Sequence, residues 1–444
     1  MSEEGDLVDF AQALTWSDLP QNVRDAVTRL TGDAIANAVA GRSAADTSAI
    51  EAASRSLYGD GTSSIIAGST TSLVAAAGIN AFQTTAYTMC DVYRPGLCHV
   101  TPEVVPAALA IAESRDVDGP RFLAAVTAGL EVTTRLCRAF NYPVFRARGW
   151  HSPGISGAMG ASISTGLLAD LTNAGLAGCL GLTGSQASGS FAAMGTVAVK
   201  FHQLRGAQAA VISAVHAQHS LVGSVNVLTA RDGGLLRAFS DDPDPRELTD
   251  ELGARWTLTD IALRPYPAAS TLQSLINVLL DPAALDGAPV SDVRSVRVEL
   301  PDEAYRLGAD AGWESELRAM QSPRYVAAGA LLTRECWIDL FSAEQRSNAY
   351  LVNFAREKVS VVRNSHLCDG AVRVTLLTSA GERHLASDAA SGDPLNPLTN
   401  AQLLEKVRHC CASSGLPDSF ALERLLDLEH EKSIAALMVD LRES

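Results

Sequence analysis

The chain has 444 residues, of which 47% are hydrophobic and 19% are charged. Its 35 basic and 50 acidic side chains give a formal net charge of −15. Nucleic acids and anionic membranes bind basic protein surfaces, so this balance disfavours both as main partners. A small anionic ligand stays compatible, because it responds to local charge and not to the total. The length exceeds what one hydrophobic core usually organises, which predicts two domains.

The N-terminal segment and the cysteines indicate a cytoplasmic protein. Residues 1–6 are acidic and lack the basic and apolar regions of a signal peptide. The eight cysteines form no C-x-x-C pair, and no apolar run approaches the roughly 18 residues that a membrane span needs. We therefore expect a reducing compartment, no disulfides and no membrane partner.

Helical periodicity runs through the N-terminal part of the chain. A helix start at residues 17–20 is followed by apolar residues at helical spacing up to Gly41. Thr101 is expected to cap a further helix with its hydroxyl, and Gly119-Pro120 precedes a helix predicted over residues 121–138. The stretch 152–168 is rich in glycine, alanine and serine, which predicts closely packed helices inside a helical core.

The pattern changes after the stiff segment Arg264-Pro265-Tyr266-Pro267. Alternation typical of strands appears in three segments: 293–300, 359–362 and 372–378. Helical periodicity returns near the C-terminus. The predicted fold is mainly α with an α+β second domain. A large discontinuous helical domain comprises residues 1–266 and 397–444, and a smaller α/β lid domain comprises residues 267–396.

Cations and histidines collect in a few short segments of this acidic chain. These segments are 93–99, 146–154 and 200–205, with Arg264 as a further cation at the domain junction. Each interrupts or ends a helical pattern, where side chains are able to converge on a cleft. Cations and helix N-termini at such a cleft would favour a small anionic ligand; the alternative is that these segments are solvated loops whose charges offset the acidic surface. Neither a P-loop nor a zinc-ligand array is present, so no cofactor and no metal are expected.

Motifs at these segments resemble those of the MmgE/PrpD family. They occur in the same order as in the family: R-G-W-H at Arg148–His151, G-S-Q-A-S-G at Gly184–Gly189, K-F-H-Q-L-R-G-A-Q at Lys200–Gln208, R-P-Y-P at Arg264–Pro267, and the stretch Ser322–Leu332. The resemblance implies a helical domain, a smaller α/β lid domain, a homodimer and an active site between the domains. It also implies cofactor-independent chemistry at carbon next to a carboxylate.

Three functions follow from the resemblance. The first is a lyase, either a dehydratase or a decarboxylase, that abstracts a proton α to a carboxylate of a small di- or tricarboxylate. The second is an epimerase on a dicarboxylate, such as an iminodisuccinate epimerase. The third is a catalytically inactive member that only binds a carboxylate.

The resemblance also assigns catalytic roles residue by residue. His151 matches the active-site histidine of the family and is expected to act as general acid or base, since histidine changes charge near neutral pH. His99 is the candidate for the opposing acid or base. Lys200 is the candidate lysine, although one residue is missing between it and the next histidine, so Val199 is the alternative occupant of that position.

The acidic motif of the family is the least well matched, because only Asp91 remains of its three aspartates. Asp91 and the nearby Tyr93 complete the expected catalytic set. The residues expected to bind the substrate are Arg94, Arg148, His202, Arg205, Arg264 and Tyr266.

Overall fold

Helices dominate the computed structural model, which describes residues 2–415 and 424–442. Met1, in the acidic N-terminal segment, lies outside the described residues. So do residues 416–423 and 443–444 of the segment predicted to be helical near the C-terminus. In the described ranges, no helix combines the length and the apolar character that a bilayer crossing requires.

The α-helices and strands alternate unevenly along the chain. The helices are α1 (Glu3–Ala13), α2 (Gln21–Gly41), α3 (Thr47–Tyr58), α4 (Leu73–Thr85), α5 (Thr101–Arg115), α6 (Gly119–Ala139), α7 (Tyr142–Ala147), α8 (Ala158–Leu168), α9 (Asn173–Gly184), α10 (Ala198–Gln218), α11 (Leu235–Phe239), α12 (Gln273–Leu280), α13 (Asp302–Gly308), α14 (Glu316–Gln321), α15 (Pro323–Thr333), α16 (Ala343–Ser347), α17 (Ala349–Glu357), α18 (Asn400–Ser413) and α19 (Ile434–Asp440). The strands are β1 (Ser63–Ser64), β2 (Thr70–Thr71), β3 (Val92–Tyr93), β4 (Ile261–Ala262), β5 (Ser295–Leu300), β6 (Val359–Arg363), β7 (Val372–Thr378) and β8 (Gly381–Ser387).

The chain divides into two compact units. The helical unit comprises residues 1–86, 90–262 and 401–444, and the α/β unit comprises residues 87–89 and 263–400. The helical unit carries only the short pairs β1–β2 and β3–β4 besides its helices, as far as its described residues go. The predicted fold class, a helical domain with an α/β domain, is confirmed.

Small residues bring helices into close contact in the centre of the helical unit. Nearly all of α8 is buried, and its sequence is AMGASISTGLL. A Cβ at Gly160 of α8 would collide with the side chain of Thr133 and with the carbonyl oxygen of Gly129, both on α6. The glycines therefore permit a backbone approach that any larger side chain would prevent, and the predicted helical core is confirmed.

One mixed four-stranded sheet organises the α/β unit. Its strand order is β6-β5-β7-β8, in which β5 and β6 run parallel and the other neighbours antiparallel. Residues of β5 alternate between exposed and buried, with Val296 and Val298 fully buried. The sequence pattern predicted three of these strands and missed β8. That strand has the sequence GERHLAS and lies at the edge of the sheet, where charged residues are common.

Candidate active site

Two histidines form a direct pair in the helical unit. His151 Nδ1 and His202 Nδ1 are 2.9 Å apart, so one ring donates and the other accepts. His151 follows α7, while His202 lies in the first turns of α10. The two ring centroids are 5.1 Å apart. The pair joins two of the cationic segments that the sequence singled out.

Glycines make room for this pair. The backbone N–H of His151 donates to the carbonyl of Gly189 over 2.9 Å. A Cβ at Gly189 would lie 3.2 Å from His202 Nδ1 and 3.3 Å from the His151 carbonyl oxygen. A Cβ at Gly154 would lie 3.1 Å from His202 Cβ and would collide with the Ser188 carbonyl oxygen. The last glycine of the G-S-Q-A-S-G motif is thus needed to seat the histidines.

Burial keeps both histidines uncharged. His151 is 5% exposed, and this burial holds its pKa well below the usual 6.5. The unfavourable electrostatic interaction of a protonated His151 with His202, His99 and Arg146 lowers this pKa further. Burial also lowers the pKa of His202. At neutral pH the pair is therefore a neutral donor and acceptor, and a proton taken up by His151 is readily released.

His99 lies close enough to act electrostatically on His151, as the lowered pKa of His151 records. Its Nδ1 is 2.7 Å from the backbone carbonyl oxygen of Asp91. A carbonyl oxygen only accepts, so Nδ1 carries the proton and the neutral ring keeps its lone pair on Nε2. This hydrogen bond fixes both the tautomer and the orientation of the ring.

The Asp91 side chain is committed to the start of α5. Its carboxylate accepts from the backbone N–H of Val100 over 2.8 Å, from the N–H of Thr101 over 3.0 Å, and from the Thr101 hydroxyl. The predicted capping by the Thr101 hydroxyl is wrong, because that hydroxyl donates to Asp91, which caps the helix from ten residues away. The Asp91 carboxylate thus fixes the backbone at the start of α5, and the Asp91 carbonyl oxygen orients the ring of His99.

Tyr93 lies in the core of the helical unit. It pairs with Ile261 across β3 and β4 and is fully buried. Its hydroxyl lies near Arg138 without a hydrogen bond of good geometry. Burial raises its pKa, and the Arg138 guanidinium only partly offsets this effect. Tyr93 is therefore placed as a packing residue.

The cations expected to bind substrate are largely engaged by the helical unit itself. Arg148 is exposed and forms a surface ion pair with Asp241. Arg205 Nη1 donates to Gln208 over 2.7 Å and to the Tyr58 hydroxyl over 3.1 Å. These contacts direct both guanidinium groups towards surface or interhelical partners.

Lys200 donates from Nζ to the carbonyl oxygen of Ala86, the residue that ends α4. A cation at that position is favourable because the carboxyl end of a helix carries partial negative charge. Val199, the alternative occupant of the lysine position, is buried. Arg94 lies half-buried in the 3₁₀ turn Arg94–Gly96.

Arg146 is a cation near His151 that the sequence analysis does not select, because the R-G-W-H motif draws attention to Arg148 instead. Its guanidinium stacks over the ring of Phe191, with 3.3 Å from Cζ to the centroid. The same ring lies 5.9 Å from the His151 ring. The only sequence signal for Arg146 is its position two residues before Arg148 in the same basic segment.

Arg264 and Tyr266 belong to the α/β unit. Arg264 is 1% exposed, and its Nη1 donates to the carbonyl of Ala268 over 3.4 Å. The side-chain amide of Gln273 brackets the Tyr266 backbone, accepting from its N–H and donating to its carbonyl. Burial, and after it the nearby Cys336, raises the pKa of Tyr266. Residues 264–267 are thus held by hydrogen bonds to Ala268 and Gln273 within the α/β unit.

Two family models match this chain. The MmgE/PrpD N-terminal domain matches residues 5–248, and the MmgE/PrpD C-terminal domain matches residues 266–427. The chain belongs to the MmgE/PrpD family. The chain is similar to the cis-aconitate decarboxylase-like protein oryM of Aspergillus oryzae. It is 24% identical over 401 residues, which cover 82% of this chain and 81% of that protein.

Family membership makes the chain an MmgE/PrpD-type enzyme with a lyase-type family role. Of the candidate residues in the helical unit, the structure brings together His99, His151 and His202, with Asp91 behind His99. No group of three metal-ligating side chains suited to a metal ion occurs in the part of the chain that the structure describes. The three histidines are the candidate acid–base groups that the structure places near one another in the helical unit.

Proposed function

We propose that the chain is a cofactor-independent lyase that acts at a carbon α to a carboxylate of a small di- or tricarboxylate. The observation that carries the proposal is the uncharged pair of His151, which is buried, and His202, which is partly buried, beside His99. Among lyases we favour a decarboxylase, in line with the name of the Aspergillus oryzae relative. Dehydration uses the same groups and is the closest alternative.

His151 is proposed as the principal acid–base group. If its Nδ1 donates to His202, its Nε2 carries the lone pair that accepts a proton. Positioned groups of this kind contribute about 10²–10⁴-fold to rate. Because the pKa of His151 lies below 6.5, the ring is unprotonated at neutral pH and is ready to act as a base.

His99 is proposed as the second acid–base group. In decarboxylation, carbon dioxide leaves, its bonding electron pair stays on the α carbon, and that carbon takes a proton from His99, which has first taken up this proton from solvent and returns to its neutral form. In dehydration, one histidine removes the α proton while the other protonates the departing hydroxyl. In either case the bond from His99 Nδ1 to the Asp91 carbonyl would make Nε2 the nitrogen that exchanges the proton with the substrate.

Substrate carboxylates are proposed to bind to cations at the edge of the histidine group. Arg146 is the best-supported of these, since it shares the Phe191 ring with His151. We retain Arg94 and Lys200 of the helical unit as further candidates. Arg148 is not retained, because its guanidinium is paired with Asp241 at the surface.

The test is a product assay on candidate polycarboxylates in D₂O, followed by ¹H NMR. The panel contains cis-aconitate, 2-methylcitrate and iminodisuccinate. Loss of carbon dioxide identifies a decarboxylase, formation of a double bond with loss of water identifies a dehydratase, and α-hydrogen exchange with inversion alone identifies an epimerase. No reaction across the panel contradicts the proposal and favours a carboxylate-binding role.

Variants then test the assigned residues. His151→Ala and His99→Ala should each lower kcat/KM by about 10²-fold or more, whereas Arg148→Ala is the matched surface control and should retain activity. Wild-type kcat/KM should fall on the acid side as His151 becomes protonated, with a midpoint below pH 6.5. Full turnover by His151→Ala would remove His151 from the mechanism.

A further inference from the structure

A carboxyl group that the mechanism does not use is buried beneath the histidines. Glu103 lies in the first turn of α5 and has no solvent exposure. Neither carboxyl oxygen has a hydrogen-bond partner among the described residues. The hydroxyl of Ser156, in the turn after His151, is likewise buried without a partner. Burying a polar group without a hydrogen-bond partner costs free energy, so its presence in the core calls for a functional or structural explanation.

Glu103 touches each of the histidine-bearing segments. A Cβ at Gly157, in the turn Pro153–Gly157, would lie 2.7 Å from Glu103 Cδ. A Cβ at Gly206 of α10 would lie 2.9 Å from Glu103 Cγ. Gly206 is one helical turn beyond His202, and Glu103 is itself four residues beyond His99. At 1.5 Å of rise per residue, Gly206 lies about 6 Å from His202 along the axis of α10.

The surroundings of Glu103 favour its uncharged form. Burial raises its pKa well above the usual 4.5, and the negative charge of Asp91 and the nearby Cys137 act in the same direction. The backbone N–H of Glu103 acts in the opposite direction and lowers this pKa, although it is not well aligned for a hydrogen bond to the carboxyl group. Ionisation would place an uncompensated negative charge in a region of low dielectric.

Two of the segments packed against α5 contain no charged side chain, namely α4 and the stretch Pro153–Leu168. The groups that act on the charge of Glu103 are Asp91 before α5 and Cys137 on α6. Further titratable side chains on the elements around α5 include Cys98 and His99 before it, Asp33 on α2, Glu131 and Arg135 on α6, His202 and Arg205 on α10, and Asp440 on α19.

We propose that Glu103 is a positioning residue of the histidine group, protonated in the active enzyme, and that its ionisation sets the alkaline limit of activity. While Glu103 is neutral, the histidines bind an anionic substrate without opposing charge. Once it ionises, the new charge repels the substrate carboxylates and also stabilises protonated histidine. The effect therefore falls mainly on KM. The expected effect on KM rests on the proposed function, whereas the protonation of Glu103 does not.

The kinetic test compares wild type with Glu103→Gln, which keeps the shape of the side chain and cannot ionise. The alkaline limb of kcat/KM should move up by about one pH unit or more in the variant, with the acid limb unchanged. Glu113→Gln is the matched control, since Glu113 lies on the same helix but accepts from the N–H of Ser64 over 2.8 Å. An unchanged alkaline limb in folded Glu103→Gln overturns the proposal.

Two measurements need no substrate and separate this inference from the proposed function. Infrared spectra at neutral pH should contain the carbonyl band of a protonated carboxylic acid, absent from Glu103→Gln and lost from wild type at alkaline pH. The unfolded chain releases this proton above about pH 4.5 while the fold retains it, so wild-type thermal stability should fall relative to Glu103→Gln as pH rises. A carboxylate band for Glu103 at neutral pH, or an equal pH dependence of stability, overturns the proposal. If Glu103→Gln does not fold, Glu103→Met serves in its place.

Discussion

Replacing His202 tests how much the histidine pair contributes to catalysis. In His202→Ala, the hydrogen bond of 2.9 Å to His151 is lost and a buried ring nitrogen of His151 is left without its partner. An unsatisfied buried polar group costs about 1–3 kcal/mol. At about 1.4 kcal/mol per tenfold change, kcat/KM should fall by about 5- to 150-fold if this cost appears in the transition state.

The pH profile of the same variant carries a second expectation. Two positive charges on this pair would repel each other, and this interaction with His202 is the second largest cause of the lowered pKa of His151, after burial. Without His202, the pKa of His151 should rise through the loss of that repulsion and the entry of water. Because His151 acts as a base when unprotonated, the acid limb of kcat/KM should move to higher pH.

His202→Asn is the matched control for this experiment. An asparagine amide reaches the position of His202 Nδ1 and is able to donate to His151 or accept from it, so kcat/KM should stay within about fivefold of wild type. The assay is steady-state turnover from acid to neutral pH, with thermal unfolding to verify folding. Equal damage in the alanine and asparagine variants, or a wild-type profile in folded His202→Ala, would refute the role of the hydrogen bond.

Three further substitutions probe the surroundings of the site and the core. Gly189→Ala places a Cβ 3.2 Å from His202 Nδ1, so kcat/KM should fall at least about tenfold with a loss of stability near 1 kcal/mol; unchanged turnover would contradict the close fit. Lys406→Met removes the cation 2.6 Å from the buried Asp33. The free energy of unfolding, measured in urea, should fall by about 3–5 kcal/mol, and adding Asp33→Asn should restore part of this stability. Arg148→Ala should change stability by less than about 0.5 kcal/mol and kcat/KM by less than about twofold, and a tenfold loss of activity would show that it reaches the substrate.

The regular elements were readable from the sequence where local patterns decide them. The helix predicted over residues 121–138 corresponds to α6, which begins where the Asp118 side chain accepts from the N–H of Arg121 over 2.9 Å. Strand β5 was visible because one face is buried and the other exposed. Strand β8 was not, because an edge strand rich in polar residues has little apolar alternation.

Side-chain direction explains the mixed outcome at the site. His99, His151 and His202 were found because each lies in a short motif at a helix boundary. Arg146 and Arg148 stand two residues apart in one basic segment, yet one stacks on Phe191 beside the site and the other pairs at the surface. No local pattern distinguishes these two arginines.

The sequence by itself determined the family, the fold class and the three histidine-bearing segments, because these depend on periodicity and on motifs of neighbouring residues. Only the tertiary structure decided which side chains meet. Asp91 became a helix cap through contacts at Val100 and Thr101. Glu103 became a buried acid with no hydrogen-bond partner among the described residues because the turn Pro153–Gly157 and α10 approach it through Gly157 and Gly206. Desolvation and contact depend on segments distant in the chain, which is why they appear only when the helices are packed.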